Sequence, residues 1–203
     1  MVSEIHSTSC KPFDRKLARI LSSAARVFAR DGYGGASIRA VAAESEVSLA
    51  GLYHYVKSKE ELLYLIQLHT FRALVENCRA AIDGEADPDR RFGVAVRNHL
   101  DHFVAHMPEL KVCAVELDTL TGDFYDEVAV VRRDYFKVMV RLVGDLRGGD
   151  TPEDEARIAT LPLFGSLNWP PQWYDPARDP GADTLAAEFS KLFMHGFLRP
   201  SAD

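Results

Sequence analysis

Tyr53, His54 and Tyr55 stand side by side, and Lys57 and Lys59 follow within four residues. The cluster offers hydroxyl and imidazole tips beside two ammonium groups. Polar tips of that reach can meet base edges in a DNA major groove, while charges at the flanks hold phosphates. The surrounding stretch, residues 37–63, carries the punctuation such a reader needs. Ser37 precedes Ile38, Val41 and Ala42, and Ser48 precedes Leu52 and Val56, so each serine is placed to cap a short helix with inward apolar residues. Ser58-Lys-Glu-Glu61 is a capping box that opens a longer helix. The pattern predicts a helix-turn-helix over about residues 37–56.

A second set of candidates lies in the middle of the chain. Phe92, Val96, Leu100, Phe103 and Met107 recur at helical spacing, and with Met139 and Phe164 they could line an apolar tunnel. Arg132, Arg133, Lys137 and Arg141 fall on neighbouring helical turns, a spacing that suits anionic phosphates. The apolar stripe fits an ordinary core equally well, and the basic cluster fits a solvated face. His99, His102 and His106 share one edge of the same helix. Two imidazoles four residues apart can chelate zinc, but no carboxylate is tied to them by sequence, and no metal ligand is assigned. The chain has no Gly-x-Ser-x-Gly, no His-Glu-x-x-His and no glycine-rich phosphate loop, so no catalytic residue is assigned either. An enzyme of small hydrophobic substrates remains the remote alternative.

The bulk numbers fit a reader of DNA attached to an acidic body. The chain has 203 residues and a formal charge of −6 at pH 7. Residues 1–60 balance at +3 and the remainder at −9, which suits local contact with phosphates by one end only. Cys10, Cys78 and Cys113 are odd in number and widely spaced, as expected of a reducing compartment. The opening residues show no basic stretch followed by an apolar run, and no apolar stretch approaches the ~20 residues of a membrane span. A cytoplasmic protein without a membrane partner is the expectation.

The elements that must position these residues are all helical. After a flexible arm over 1–12, a helix from Asp14 carries Leu17, Ile20, Leu21, Ala24, Val27 and Phe28 on one face. The two short helices and a long one through about Ile82 follow. Further helices are expected over about 88–106, ended by Pro108, then 109–120, 123–147, a segment after Thr151-Pro152 that runs to Pro170-Pro171, and 183–198. The expectation is an all-α chain of about nine helices. It divides into a DNA-binding domain over 13–60 and a helical ligand-binding and dimerisation domain over 61–203.

The first three helices and the start of the fourth resemble the TetR/AcrR family of bacterial transcriptional regulators. The resemblance rests on Ala24-Ala25-Arg26-Val27-Phe28, Gly32-Tyr33, Ser37-Ile38-Arg39, Val41-Ala42, Val47-Ser48, Gly51-Leu52-Tyr53-x-Tyr55 and Lys59-Glu60-x-Leu62-Leu63. Two positions depart from it: Glu46 stands where the family usually has glycine, and Val56 replaces the commoner phenylalanine. The resemblance implies a homodimeric repressor, paired through its last two helices, on a palindromic operator in double-stranded DNA. By matching position, Ser37, Arg39, Ser48, Leu49, Ala50, Gly51, Tyr53, His54, Tyr55 and Lys59 would contact that operator, with Lys59 clamping a phosphate. Leu167-Asn168-Trp169 followed by Trp173-Tyr174 is similar to a segment of the branch that controls fatty-acid, steroid or aromatic-acid breakdown. That branch implies release by a small hydrophobic effector, an acyl-CoA thioester, with no required cofactor. Phe92, Val96, Leu100, Phe103, Met107, Arg132, Arg133, Met139, Phe164 and Trp169 are its candidate contacts. Packing at the dimer interface is the competing role for the aromatics of the segment 163–176, and an efflux-gene regulator sensing hydrophobic drugs is the competing function.

Overall fold

The computed structural model describes residues 15–148 and 150–197, so the arm expected over 1–12 and the end of the last helix lie outside the described residues. Among the described residues there are nine α-helices and no strand. In order they are α1 (Arg15–Asp31), α2 (Ile38–Glu44), α3 (Leu49–Tyr53), α4 (Lys59–Ile82), α5 (Pro88–Ala105), α6 (Met107–Val115), α7 (Gly122–Leu146), α8 (Glu153–Leu167) and α9 (Ala182–Leu192). A 3₁₀ turn, Pro170–Gln172, follows α8, and a π-helical turn, Phe193–Phe197, extends α9.

Local chemistry explains the boundaries. Ser37, Ser48 and Ser58 each accept a bond from the backbone N–H three residues on, at 3.1, 3.0 and 3.0 Å. Glu61 completes its box by reaching back to the Lys57 N–H. Between α1 and α2 a Cβ on Gly35 would stand 2.7 Å from the Asp31 carbonyl oxygen, so no side chain fits there. Between α2 and α3 the backbone of Glu46 turns left-handed, at φ 54°, as its place in the turn predicts.

Two boundaries differ from the sequence reading. α3 stops at Tyr53, and His54 and Tyr55 form the turn beyond it. Pro108 does not end α5. Instead the chain breaks at His106, and Pro108 sits in the first turn of α6, where its missing N–H has no partner to lose. Pro162 lies inside α8 and removes the bond that its N–H would give the Ile158 carbonyl.

Two apolar cores share the length of α4. The first gathers Ile20, Val27 and Phe28 of α1, Val41 of α2, Leu52 of α3 and Leu62 to Leu68 of α4, and extends past the expected division at residue 60 to Val112, Leu120 and Val128. The second joins Leu74 and Cys78 of α4 to Phe92, Val96, Leu100, Met139, Leu163 and Leu167. Fully burying side chains such as Ile20 or Leu52 contributes about 1.5–3 kcal/mol each. At the junction, Tyr64 stacks on Phe124 at 4.3 Å and donates its hydroxyl to Glu127 at 2.6 Å. Gln67 donates to the Glu116 carbonyl at 2.8 Å. Arg91 pairs with Asp145 and Arg97 with Asp183, which ties α5 to α7 and α9.

Candidate nucleic-acid interface and effector cavity

The short α2 and α3 present their capped ends to solvent. Ser37, Arg39, Ser48, Ala50, Tyr53 and His54 are exposed, and Tyr53 keeps 50% of its surface open. Leu52 and Val56 anchor the same segment from beneath. The smaller Val56 is still buried in the first core, at 1% exposure. Leu49 and Tyr55 are half-buried and pack against the first core, while Gly51 is half-buried beside the Ser48 hydroxyl. Tyr55 also meets His54 edge to face at 5.4 Å, and Lys16 of α1 lies 5.7 Å from its ring. Tyr55 is thus as much an anchor of the turn as a tip beyond it.

Lys59 is placed differently from the phosphate clamp its position implies. Its ammonium donates to the carbonyl oxygens of Tyr33 at 2.8 Å and Ala36 at 3.2 Å, with Gly34 at 3.5 Å. An ammonium has three protons, and all three have carbonyl partners here. In this arrangement Lys59 braces the α1–α2 loop.

Behind the head, α4, α5, α6, α7 and α8 enclose a cavity of about 1280 Å³. Its inner wall is aromatic and apolar, from Phe71, Phe103, Tyr135, Phe136 and Phe164, with Leu74 and Leu110 between them. Arg132, Arg133, Lys137, Arg141 and Arg157 also line it. Arg133, Lys137, Arg141 and Arg157 are exposed, and Arg132 is half-buried with its guanidinium 5.8 Å from the Phe71 ring. The site therefore joins an apolar interior to a cationic rim.

Of the ten candidate effector contacts, the cavity brings together Phe103, Arg132, Arg133, Phe164 and Trp169. It does not include Phe92, Val96, Leu100 and Met139, which are fully buried in the second core, nor Met107, which opens α6. An apolar stripe is buried in either setting, so its spacing cannot tell packed side chains from an enclosed space. The sequence reading missed Tyr135, Phe136 and Phe71. Tyr135 stands three residues after Arg132 on α7, the one available signal.

The three histidines also separate. His99 lines the cavity, its imidazole bonded to Tyr135 at 2.9 Å and the Leu167 carbonyl at 3.3 Å. His102 is buried and His106 exposed, with ring centres 4.7 Å apart. Burial drives His99 down to about 3 and, with the neighbouring charge of His106, His102 to about 4. Burial likewise pushes the Cys113 thiol of the cavity wall up to about 12. Among the described residues no three histidine, cysteine or acidic side chains are grouped to hold a metal ion.

α6 belongs to both sites. Leu110 and Cys113 face the cavity, whereas Val112 is part of the first core with α1. One helix therefore contributes side chains to both the cavity wall and the core beneath the head.

Comparison with known proteins follows the same division. The profile described as bacterial regulatory proteins, tetR family, matches residues 20–64, and that described as tetracyclin repressor-like, C-terminal domain, matches residues 85–197. The nicotine-responsive transcriptional repressor HdnoR of Paenarthrobacter nicotinovorans is 32% identical over 34% of this chain, a match spanning only 36% of that relative's length. The crystal structure of a TetR-family regulator from Bordetella parapertussis superposes with a TM-score of 0.84 at 28% identity, over 94% of this chain and all of that one. AibR in complex with isovaleryl coenzyme A and operator DNA shares the fold, with a TM-score of 0.76 at 21% identity over 87% of this chain and 97% of that one.

Proposed function

The chain belongs to the tetR family of bacterial regulatory proteins, ligand-responsive DNA-binding regulators, and we propose that it is a homodimeric repressor released from a palindromic operator by an acyl-CoA thioester. The observation that carries the reading is the aromatic cavity with a rim of arginine and lysine, walled by a helix that also packs on α1. An acyl chain needs the apolar interior, and the phosphates of coenzyme A need the cations. The fold shared with a regulator that holds isovaleryl coenzyme A supports the same class.

In this reading residues 13–60 form the DNA-binding head and 61–203 the effector and dimerisation body. Ser37, Arg39, Ser48, Ala50, Gly51, Tyr53 and His54 meet the operator. Two heads related by two-fold symmetry require half-sites one helical turn apart, or a multiple. The exposed apolar side chains of Ile158, Leu161 and Leu192 favour α8 and α9 as the dimer surface. The bound effector favours a head separation that misfits two adjacent grooves, and it can shift that equilibrium only by its differential affinity for the two states. Among the described residues no helix is long and apolar enough to cross a membrane, consistent with work in the cytoplasm.

Palmitoyl-CoA, benzoyl-CoA and a cationic dye, each added to a protein–operator complex, test the reading in a gel shift. Release by either thioester is the expected result. Release by the dye alone makes the protein an efflux regulator instead, and absence of any sequence-specific DNA binding removes the regulator reading altogether.

A further inference from the structure

The inner wall of the cavity carries a hydrogen-bond relay whose direction the backbone fixes. His99 and Tyr135 both line the cavity and are almost fully buried. His99 Nε2 lies 3.3 Å from the carbonyl oxygen of Leu167, the last residue of α8. A carbonyl only accepts, so Nε2 carries the ring proton and donates it. Nδ1, 2.9 Å from the Tyr135 hydroxyl, is then bare, and the phenol donates to it. Burial keeps the imidazole neutral near pH 7, so no second ring proton reverses the relay.

The consequence falls on Tyr135. Its proton is committed to His99, while its oxygen retains lone pairs that accept. Among the described residues the bond to His99 is the hydrogen bond this phenol makes. Rings surround the pair. Phe103 stacks on His99 at 4.7 Å, Phe164 lies 5.7 Å from Tyr135, and Phe136 lies 5.2 Å from Phe164.

We propose that this wall selects an acyl group ending in a hydroxylated aromatic ring, whose hydroxyl donates to the Tyr135 oxygen and whose ring packs among Phe103, Phe136 and Phe164. The inference rests on the coenzyme A reading above and narrows it from thioesters in general to hydroxyaryl thioesters. A straight alkyl chain gives the remaining lone pair of the phenol oxygen no donor and offers no ring to pack among Phe103, Phe136 and Phe164. An ether or carbonyl oxygen at the same place sets lone pair against lone pair. Tyr135 is then the residue that determines specificity, and His99 positions it.

Four ligands test this by titration calorimetry on the full chain: 4-hydroxycinnamoyl-CoA, cinnamoyl-CoA, 4-methoxycinnamoyl-CoA and decanoyl-CoA. The hydroxylated ester should bind about tenfold tighter than the unsubstituted and methoxylated ones. Tyr135→Phe should bring all three cinnamoyl esters within about twofold of one another, since it removes the acceptor and keeps the ring. Equal binding of the hydroxylated and unsubstituted esters overturns the inference, as does a hydroxyl preference that survives Tyr135→Phe. Should the variant fail to fold, the methoxylated ester decides in the unaltered protein: binding as tight as the hydroxylated ester overturns the inference. If decanoyl-CoA binds and the three others do not differ, this inference alone falls. If none of the four binds, the coenzyme A reading falls and takes this one with it.

Discussion

The Lys59 ammonium sits 4.5 Å from the centre of the Tyr33 ring and donates to the Tyr33 carbonyl oxygen at 2.8 Å. A cation held by an aromatic face and three carbonyls stabilises the loop that sets α2 against α1. Lys59→Met should therefore cost about 1–3 kcal/mol of stability, the range for charge-assisted bonds. It should also weaken operator binding indirectly, with the salt slope unchanged. A phosphate contact predicts the opposite pair of results: unchanged melting and a slope lower by about one. Thermal melting and binding at several salt concentrations separate the two.

Tyr53 has half its surface in solvent and sits on the firm base of Leu52. Tyr53→Ala should leave the stability within about 0.5 kcal/mol of the parent, as surface changes usually do. Operator affinity should fall by about tenfold or more, the scale of one lost base or phosphate contact. Unchanged affinity in a gel shift would remove Tyr53 from the interface.

Glu46 holds a left-handed backbone at φ 54° without being glycine. Glu46→Gly relieves a penalty of about 1–2 kcal/mol and incurs an unfolded-state entropy cost of about 0.5–1 kcal/mol. The variant should gain up to about 1.5 kcal/mol. An upward shift in the urea midpoint checks it, and a downward shift shows that the side chain contributes more than the strain.

His99 and His102 are buried neutral, with folded pKa values of about 3 and about 4, against about 6.5 for an unfolded imidazole. Below pH 6.5 the unfolded chain binds more protons than the folded one. Stability from these groups is thus complete above pH 7 and lost as pH falls toward 4. The limiting slope is about 1.4 kcal/mol per pH unit for each histidine. Urea midpoints should drop between pH 7 and pH 5, and His99→Gln should flatten the drop. An identical slope in the variant assigns the loss to other groups.

Short-range features of this molecule could be read from the chain, and long-range ones could not. The capping roles of Ser37, Ser48 and Ser58 and the left-handed turn at Glu46 depend on bonds within three or four residues. The direction of Lys59 depends on carbonyls 23 to 26 residues away, which no local pattern encodes. The apolar stripe of α5 announced a buried face, but Phe92 and Phe103 share that stripe and meet a packed core and a cavity respectively. Pro108 misled because proline stops one helix and starts another with the same chemistry. Tyr135 escaped notice because its partner lies 36 positions earlier in the chain.

The junction around Tyr64 and Phe124 has a consequence for engineering. Val112, Leu120 and Val128 sit in the same interior as the reading helices. A fragment cut after residue 60 would lose Leu62, Leu63 and Ile66 as well as Val112, Leu120 and Val128 from the interior that Ile20, Val27 and Phe28 share, and should be less stable than the whole. A chimaera that keeps this protein's operator choice while borrowing another sensor should carry the α6–α7 corner along with the head, because both contribute side chains to one apolar interior.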